Sequence, residues 1–330
     1  MTLDDLIQRI PKDTEERVTR TKERYNQRIR EVLRQETGLR LNRAAGEETT
    51  QVRISVLPGL PEALYKKPLP PEFALAVLLA PWRGLLTDLR NSSERTLKEL
   101  IPQIVRAPGG IELMEDLPGS LEPVTELARR LLAEAGKFDL LKWMLEVNED
   151  ILGIYRYSPM SGRRLRSGME GEIELYWGVI GLVSRLLGCT VEALTLVVLA
   201  HELGHAYTHL GFDIDGERWT NEDFAKSERG LKEGLAQYYT ARVCAAFKKF
   251  DPAFESAYEA LLKGQPEDYQ THVPWLKDQK PEEVRLSMLE TRRQSLLKLE
   301  DFNNLLTSAK DRLRRPPAPK QKNFFEEDEE

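Results

Sequence analysis

A mostly helical α+β fold is predicted for this chain of 330 residues, and three observations predict it. Long stretches pair helix-forming residues with apolar positions at three- and four-residue spacing. Only three short segments, 53–57, 151–157 and 172–177, carry the apolar, β-branched and aromatic pattern of strands. Gly and Pro fall between these segments, where they end them. A composition of 41% hydrophobic and 31% charged residues is that of a soluble globular chain with ample material for a core.

In chain order, residues 12–36 are dense in mixed-sign charge with no Gly or Pro, which predicts a long exposed helix. The strand at 53–57 ends at Pro58 and Gly59, and Pro61, Pro68, Pro70 and Pro71 mark a loop. Helices follow at 73–89 and 92–105, and Pro108, Gly109 and Gly110 mark a boundary. Ser120 can N-cap a helix to about Gly136, and 138–147 forms a second helix or turn. The strands at 151–157 and 172–177 flank a polar loop. A helix at 179–187 is closed by Gly188, and Thr190 can cap the long apolar helix that ends near Leu210. A polar loop with Asp213, Asp215 and Trp219 leads into a helix from about Lys232 to Phe250. Another helix runs to Leu262, 269–275 is a loop, and 281–313 reads as one long helix. The Pro-rich and then acidic end, 316–330, is expected to be a disordered tail. Three regions result: a helical 1–110, expected to pack or to dock a regulatory protein partner; 111–315; and the tail.

The apolar helix contains His201-Glu202-Leu203-Gly204-His205, an H-E-x-x-H. Positions i and i+4 share one helix face, so His201 and His205 converge on one point. Two imidazoles there suit Zn²⁺, and Glu202 beside them suits a general base. The chain has only four His in 330 residues, so chance is a poor account of the motif. The helix is apolar nearly all round and should be buried, where a metal would satisfy both imidazoles. Gly204, costly inside a helix, implies that something needs the space beside it.

A catalytic zinc needs a third protein ligand. His209 continues the i+4 series, but three turns of a straight helix span about 12 Å, too far for one ion. Glu233, on the following predicted helix among Leu231, Leu235, Ala236 and Tyr239, is the preferred candidate. A carboxylate on a buried face needs a counter-charge, and Gly234 beside it permits close approach. Lys232 shows that part of this helix is wet, so an exposed Glu233 is the competing reading.

The segments His201 to His205 and Glu233-Gly234-Leu235-Ala236-Gln237-Tyr238-Tyr239 resemble the gluzincin class of zinc metallopeptidases, across about 150–250. A weaker likeness is to small intracellular zinc proteases of the ImmA/IrrE type. The metzincin form is excluded, since its third His position holds Gly211. The gluzincin resemblance implies a zincin-like catalytic domain with a small sheet and two metal-bearing helices, flanked by further N- and C-terminal helices. It implies Zn²⁺ on His201, His205 and Glu233, and hydrolysis of a protein or peptide substrate with Glu202 as general base. It also implies a downstream His or Tyr at the oxyanion, for which His272 is the first candidate and Tyr269 the second; an ordinary surface-loop His is the alternative. The family's edge strand, which pairs with substrate, would be 151–157 or 173–177. Gln237 departs from the family, which commonly has Asp there.

Other readings fit the same residues: a zinc hydrolase acting on a non-peptide bond, or a non-catalytic zinc-stabilised interaction module. The net charge of −6 argues against general nucleic-acid binding. No apolar run approaches the roughly 18 residues of a membrane helix, and no signal peptide opens the sequence. Cys189 and Cys244 form no disulfide framework, so a cytoplasmic protein with free thiols is expected.

Overall fold

The computed structural model of the protein describes residues 3–41, 52–66, 122–136, 139–146, 151–158, 165 and 169–314. The helices expected at 73–89 and 92–105, the boundary at 108–110 and the tail lie outside them. Two compact units result, Met1–Arg9 with Pro61–Asn148, and Ile10–Leu60 with Glu149–Glu330. The first holds α1 (Leu3–Ile7), α3 (Glu62–Lys66), α4 (Glu122–Gly136) and α5 (Leu140–Leu145). The carboxylate of Asp139 caps α5 by accepting the Lys142 N–H at 2.9 Å.

The second unit is built round α7 (Val191–Leu210), in which every residue but Glu192 is buried. Its start is fixed by Thr190, whose hydroxyl accepts the Ala193 N–H at 3.1 Å. A helix apolar on all sides needs neighbours on all sides. One is α2 (Thr14–Thr37), which buries the stripe Val18, Thr21, Ile29 and Leu33. The expected exposed helix is therefore exposed on one side only. Arg17 grips Glu192 through two bonds of 2.7 Å, and Arg242 grips Glu36 at 2.9 and 3.0 Å. Beyond the α2 cap at Gly38, Arg40 and Phe212 exchange backbone hydrogen bonds of 2.9 and 2.7 Å.

The other neighbours are α9 (Arg229–Phe247), α10 (Ala253–Leu262), α6 (Trp177–Leu187) and a mixed sheet. The sheet order is β1 (Val52–Leu57), β3 (Gly171–Tyr176), β2 (Gly153–Tyr157). β1 runs parallel to β3 with Val52 opposite Gly171, and β2 runs antiparallel to it with Tyr157 opposite Gly171. Alternation along β3 sends Ile173 and Leu175 inward. Among the described residues no single helix is long and apolar enough to cross a membrane; α6 and α7 pass that test only as a pair bent by 118°.

Helix with a small sheet is thus the architecture, as the patterning predicts. α2 and β1 belong to the unit that holds α7 and α9. Two local expectations change. The segment expected as one helix at 281–313 is two, α12 (Pro281–Arg293) and α13 (Leu299–Arg314). Between them Ser295 takes φ 52° and its hydroxyl donates to Asp223 at 2.9 Å. A non-glycine residue makes this left-handed turn, so no Gly or Pro announces it. The expected loop at 269–275 is instead the end of a 3₁₀ turn (Glu267–Gln270) and the start of α11 (Val273–Asp278). α8 (Asn221–Lys226), capped by Thr220, lies between α7 and α9.

Candidate metal centre

His201 and His205 stand one turn apart on α7, and Glu233 reaches them from the first half of α9. The approach of the two helices depends on Gly204. A Cβ there would lie 3.2 Å from the Ala236 carbonyl oxygen and 3.3 Å from its Cα. α9 therefore packs backbone to backbone against α7, which accounts for a glycine inside a buried helix. Gly234 serves a different contact from the one expected: a Cβ there would collide with Thr271 Oγ1 and Trp275, not with α7.

Three atoms converge. His201 Nε2 and His205 Nε2 are 3.2 Å apart, and Glu233 Oε2 lies 3.3 Å from the first and 3.2 Å from the second. Glu233 Oε2 is buried yet forms no hydrogen bond, so the imidazoles are not aligned to donate to it. A tetrahedral ion with N and O ligands near 2.0 Å sets its ligand atoms about 3.3 Å apart. The donor set and the triangle fit such an ion, and these buried groups could hold a metal. Burial raises the Glu233 pKa, but the facing His205 and His201 imidazoles outweigh it and hold the carboxyl well below its usual range.

Glu202, 1% exposed, stands next to His201 on α7. Its side chain meets β2 at Gly153, where a Cβ would fall 2.9 Å from both Glu202 Cγ and Oε1. Along the same face of β2, the Tyr155 ring lies parallel to His205 with centroids 6.2 Å apart, and Tyr157 meets His209 edge-on at 4.6 Å. Of the two strands expected as candidates for an edge, β2 is at the edge of the sheet among the described residues and β3 is central.

His209 and His272 stand apart from the trio. His209 Nε2 donates to Asn221 Oδ1 at 3.1 Å, and Nδ1 accepts from the Tyr155 hydroxyl at 2.9 Å. Asn221 in turn donates to the Ser158 carbonyl at 2.6 Å. Burial lowers the His209 pKa well below its usual value and keeps it neutral. His272, expected at the oxyanion or in a surface loop, is fully buried. Its Nδ1 donates to the Tyr269 carbonyl at 2.9 Å, which leaves Nε2 to accept from the Tyr258 hydroxyl. With both nitrogens engaged, His272 has no N–H left for an oxyanion. It holds the turn that carries Tyr269, whose ring lies 5.9 Å from that of His201 and whose hydroxyl accepts from Arg229 at 3.2 Å. Gln237 donates to Gln265 at 2.9 Å and helps hold the same segment.

Gly153 and Tyr155 belong to no motif in the sequence. A signal for Gly153 was present, because a glycine inside a strand marks close backbone approach. Cys189 and Cys244 are both free. No family model, curated protein or solved structure matches the chain.

Proposed function

We propose that the protein is a zinc-dependent hydrolase that cleaves peptide bonds, with a zincin-like arrangement of α7 and α9. The observation that carries this reading is the 3.2–3.3 Å triangle of His201, His205 and Glu233 with Glu202 buried beside it. Two imidazoles and one carboxylate form a three-ligand set of the catalytic zinc type, which keeps a further position open. Zinc, when bound, supplies a Lewis acid and brings the ionisation of water near neutral pH. Glu202 accepts the proton of the attacking water at its carboxylate and returns it to the leaving amine nitrogen. A structural zinc site needs no such carboxylate. His201, His205 and Glu233 are held rigid by the packing of two buried helices, which favours a fixed reaction geometry.

The edge strand supports peptides as the substrate class. Among the described residues, β2 pairs with β3 on one side and with no strand on the other. An extended peptide can add to such an edge by backbone hydrogen bonds. Tyr269, next to His201, is the candidate to meet the carbonyl oxygen, in place of His272. A second reading, a metal-stabilised module without turnover, draws on the burial of the trio, whose members are 5–8% exposed.

The deciding experiment compares wild type with Glu202→Gln by proteome-wide cleavage-site profiling, with zinc quantified in both. Zinc should remain at one ion per chain in both proteins. Cleavage should fall by about 100-fold or more in the variant, the scale of a lost general base. A fully active Glu202→Gln protein rejects the assignment, and zinc-loaded wild type without cleavage leaves the structural reading.

A further inference from the structure

We infer that Gly153 is a positioning residue for the carboxylate of Glu202: the bare backbone of β2 at this point shapes the slot in which that carboxylate sits. The inference rests on the hydrolase reading and adds to it a residue from outside the two metal-bearing helices.

Gly153 is buried and opens β2, with its neighbour Leu152 tied to β3 by the Tyr176 N–H at 3.0 Å. Its φ is not in the left-handed region, so backbone conformation does not call for glycine here. Space does. A Cβ would stand 2.8 Å from Val198 Cγ1, 2.9 Å from Glu202 Cγ and 2.9 Å from Glu202 Oε1. Val198 and Glu202 are i and i+4 on α7, so both line the stripe on which β2 rests. Val198 is β-branched and stiff at χ1, and it is set in a buried helix. The carboxylate of Glu202 is the flexible end of its side chain. Any side chain at position 153 therefore displaces Glu202 before it displaces the helix. The next residues on that face of β2 bear on the neighbouring turns, Tyr155 on His205 and Tyr157 on His209. Strand and helix are thus matched, and glycine falls at the Glu202 position.

The metal ligands lie outside this contact, since no atom of His201, His205 or Glu233 is among those that a Cβ at position 153 would meet most closely. Gly153→Ala should therefore move the base and leave the metal.

The test uses the full-length zinc-loaded chain as wild type, Gly153→Ala, Val198→Ala and the double variant Gly153→Ala/Val198→Ala. The double variant removes Cγ1 of Val198, restoring part of the room and protecting against a failure to fold. Three readouts are taken: zinc per chain, kcat and KM on a peptide cleaved by wild type, and Kd for acetohydroxamate. This chelator engages a metal together with an adjacent carboxylate, so it reports on Glu202 without turnover. Gly153→Ala should keep one zinc and lower kcat by about 100-fold, the cost of misplacing a reacting group by roughly 1 Å. KM should stay within about threefold, because ground-state binding is not what is lost. Acetohydroxamate should bind about 10-fold more weakly, the loss of one hydrogen bond to a charged group. The double variant should regain thermal stability without regaining kcat, and Val198→Ala alone should match wild type in rate. Wild-type kcat and acetohydroxamate affinity in a folded Gly153→Ala or double variant would overturn the inference while leaving the hydrolase reading intact. A loss of zinc, or a rise in KM alone, would overturn it in favour of a packing or substrate-docking role. A zinc-loaded wild type that neither cleaves peptides nor binds acetohydroxamate removes the hydrolase reading, and the inference with it.

Discussion

His209 and His272 titrate with consequences for stability, because each is buried neutral with both ring nitrogens bonded. Unfolded histidine titrates near pH 6.5. Desolvation lowers His272 to about 4 and takes His209 well below its usual value. As pH falls the unfolded chain takes up these protons first, so the stability present above about pH 6.5 is lost below it. For His272 the loss runs down to about pH 4, and each histidine contributes up to about 1.4 kcal/mol per pH unit. Urea denaturation midpoints should therefore drop steeply on acidification from pH 7 to about pH 5. His272→Gln should lower the steepness, whatever it does to the midpoint at neutral pH. An unchanged slope would show that His272 is not buried neutral. At this scale the motif residues were legible because His201, Glu202 and His205 are neighbours on one helix. The state of His272 was not, since the partner of its Nε2, Tyr258, comes from the separate helix α10.

The pairing of α7 with α9 is the element on which the candidate metal centre depends, and Gly204 is a point of close backbone approach within it. Gly204→Val would press a β-branched side chain against the Ala236 backbone, with a cost of about 1–3 kcal/mol from overpacking. It should also weaken zinc binding, because α9 must back away and takes Glu233 with it. Thr190→Ala should cost about 1 kcal/mol through the lost N-cap and leave zinc affinity unchanged, since the cap is far along α7 from the trio. Thermal melts with a competitive chelator titration separate the two. Equal zinc affinity in Gly204→Val and wild type would show that the helix contact does not set the metal geometry. Helix signals at this scale were local, and Thr190 and Gly188 stand where the caps form. The turn at Ser295 was not legible, because its left-handed conformation is supported by Asp223 rather than announced by a glycine.

The unit that holds the trio includes α2 and β1, which precede it by more than a hundred residues in the chain. Removing 1–110 deletes the helix that covers α7 and the strand that pairs with β3. The remaining chain should fail to accumulate as folded, zinc-binding protein, judged by circular dichroism and zinc per chain in the soluble fraction. A truncated protein with native helicity and one bound zinc would show that α2 and β1 are dispensable. Such a deletion therefore cannot by itself test partner docking by 1–110. Arg17→Ala and Glu192→Ala, which cut only one tie between α2 and α7, should be much milder, since the pair is part-exposed and the apolar stripe remains.

The sequence by itself placed His201, Glu202 and His205 together on one helix and located the three strands and the limits of most long helices, because i,i+4 spacing, alternation and capping act over a few residues of chain. It also pointed to Glu233 as a carboxylate on an apolar helix face. The tertiary structure alone decided that Glu233 Oε2 meets both imidazoles, that His272 faces the interior, that β2 rather than β3 is an edge among the described strands, and that α2 covers the helix of His201 and His205. Those outcomes follow from which surfaces fit one another. Gly204 against the backbone of Ala236 and Gly153 against Glu202 are such fits, made between segments whose local patterns contain no record of their partner.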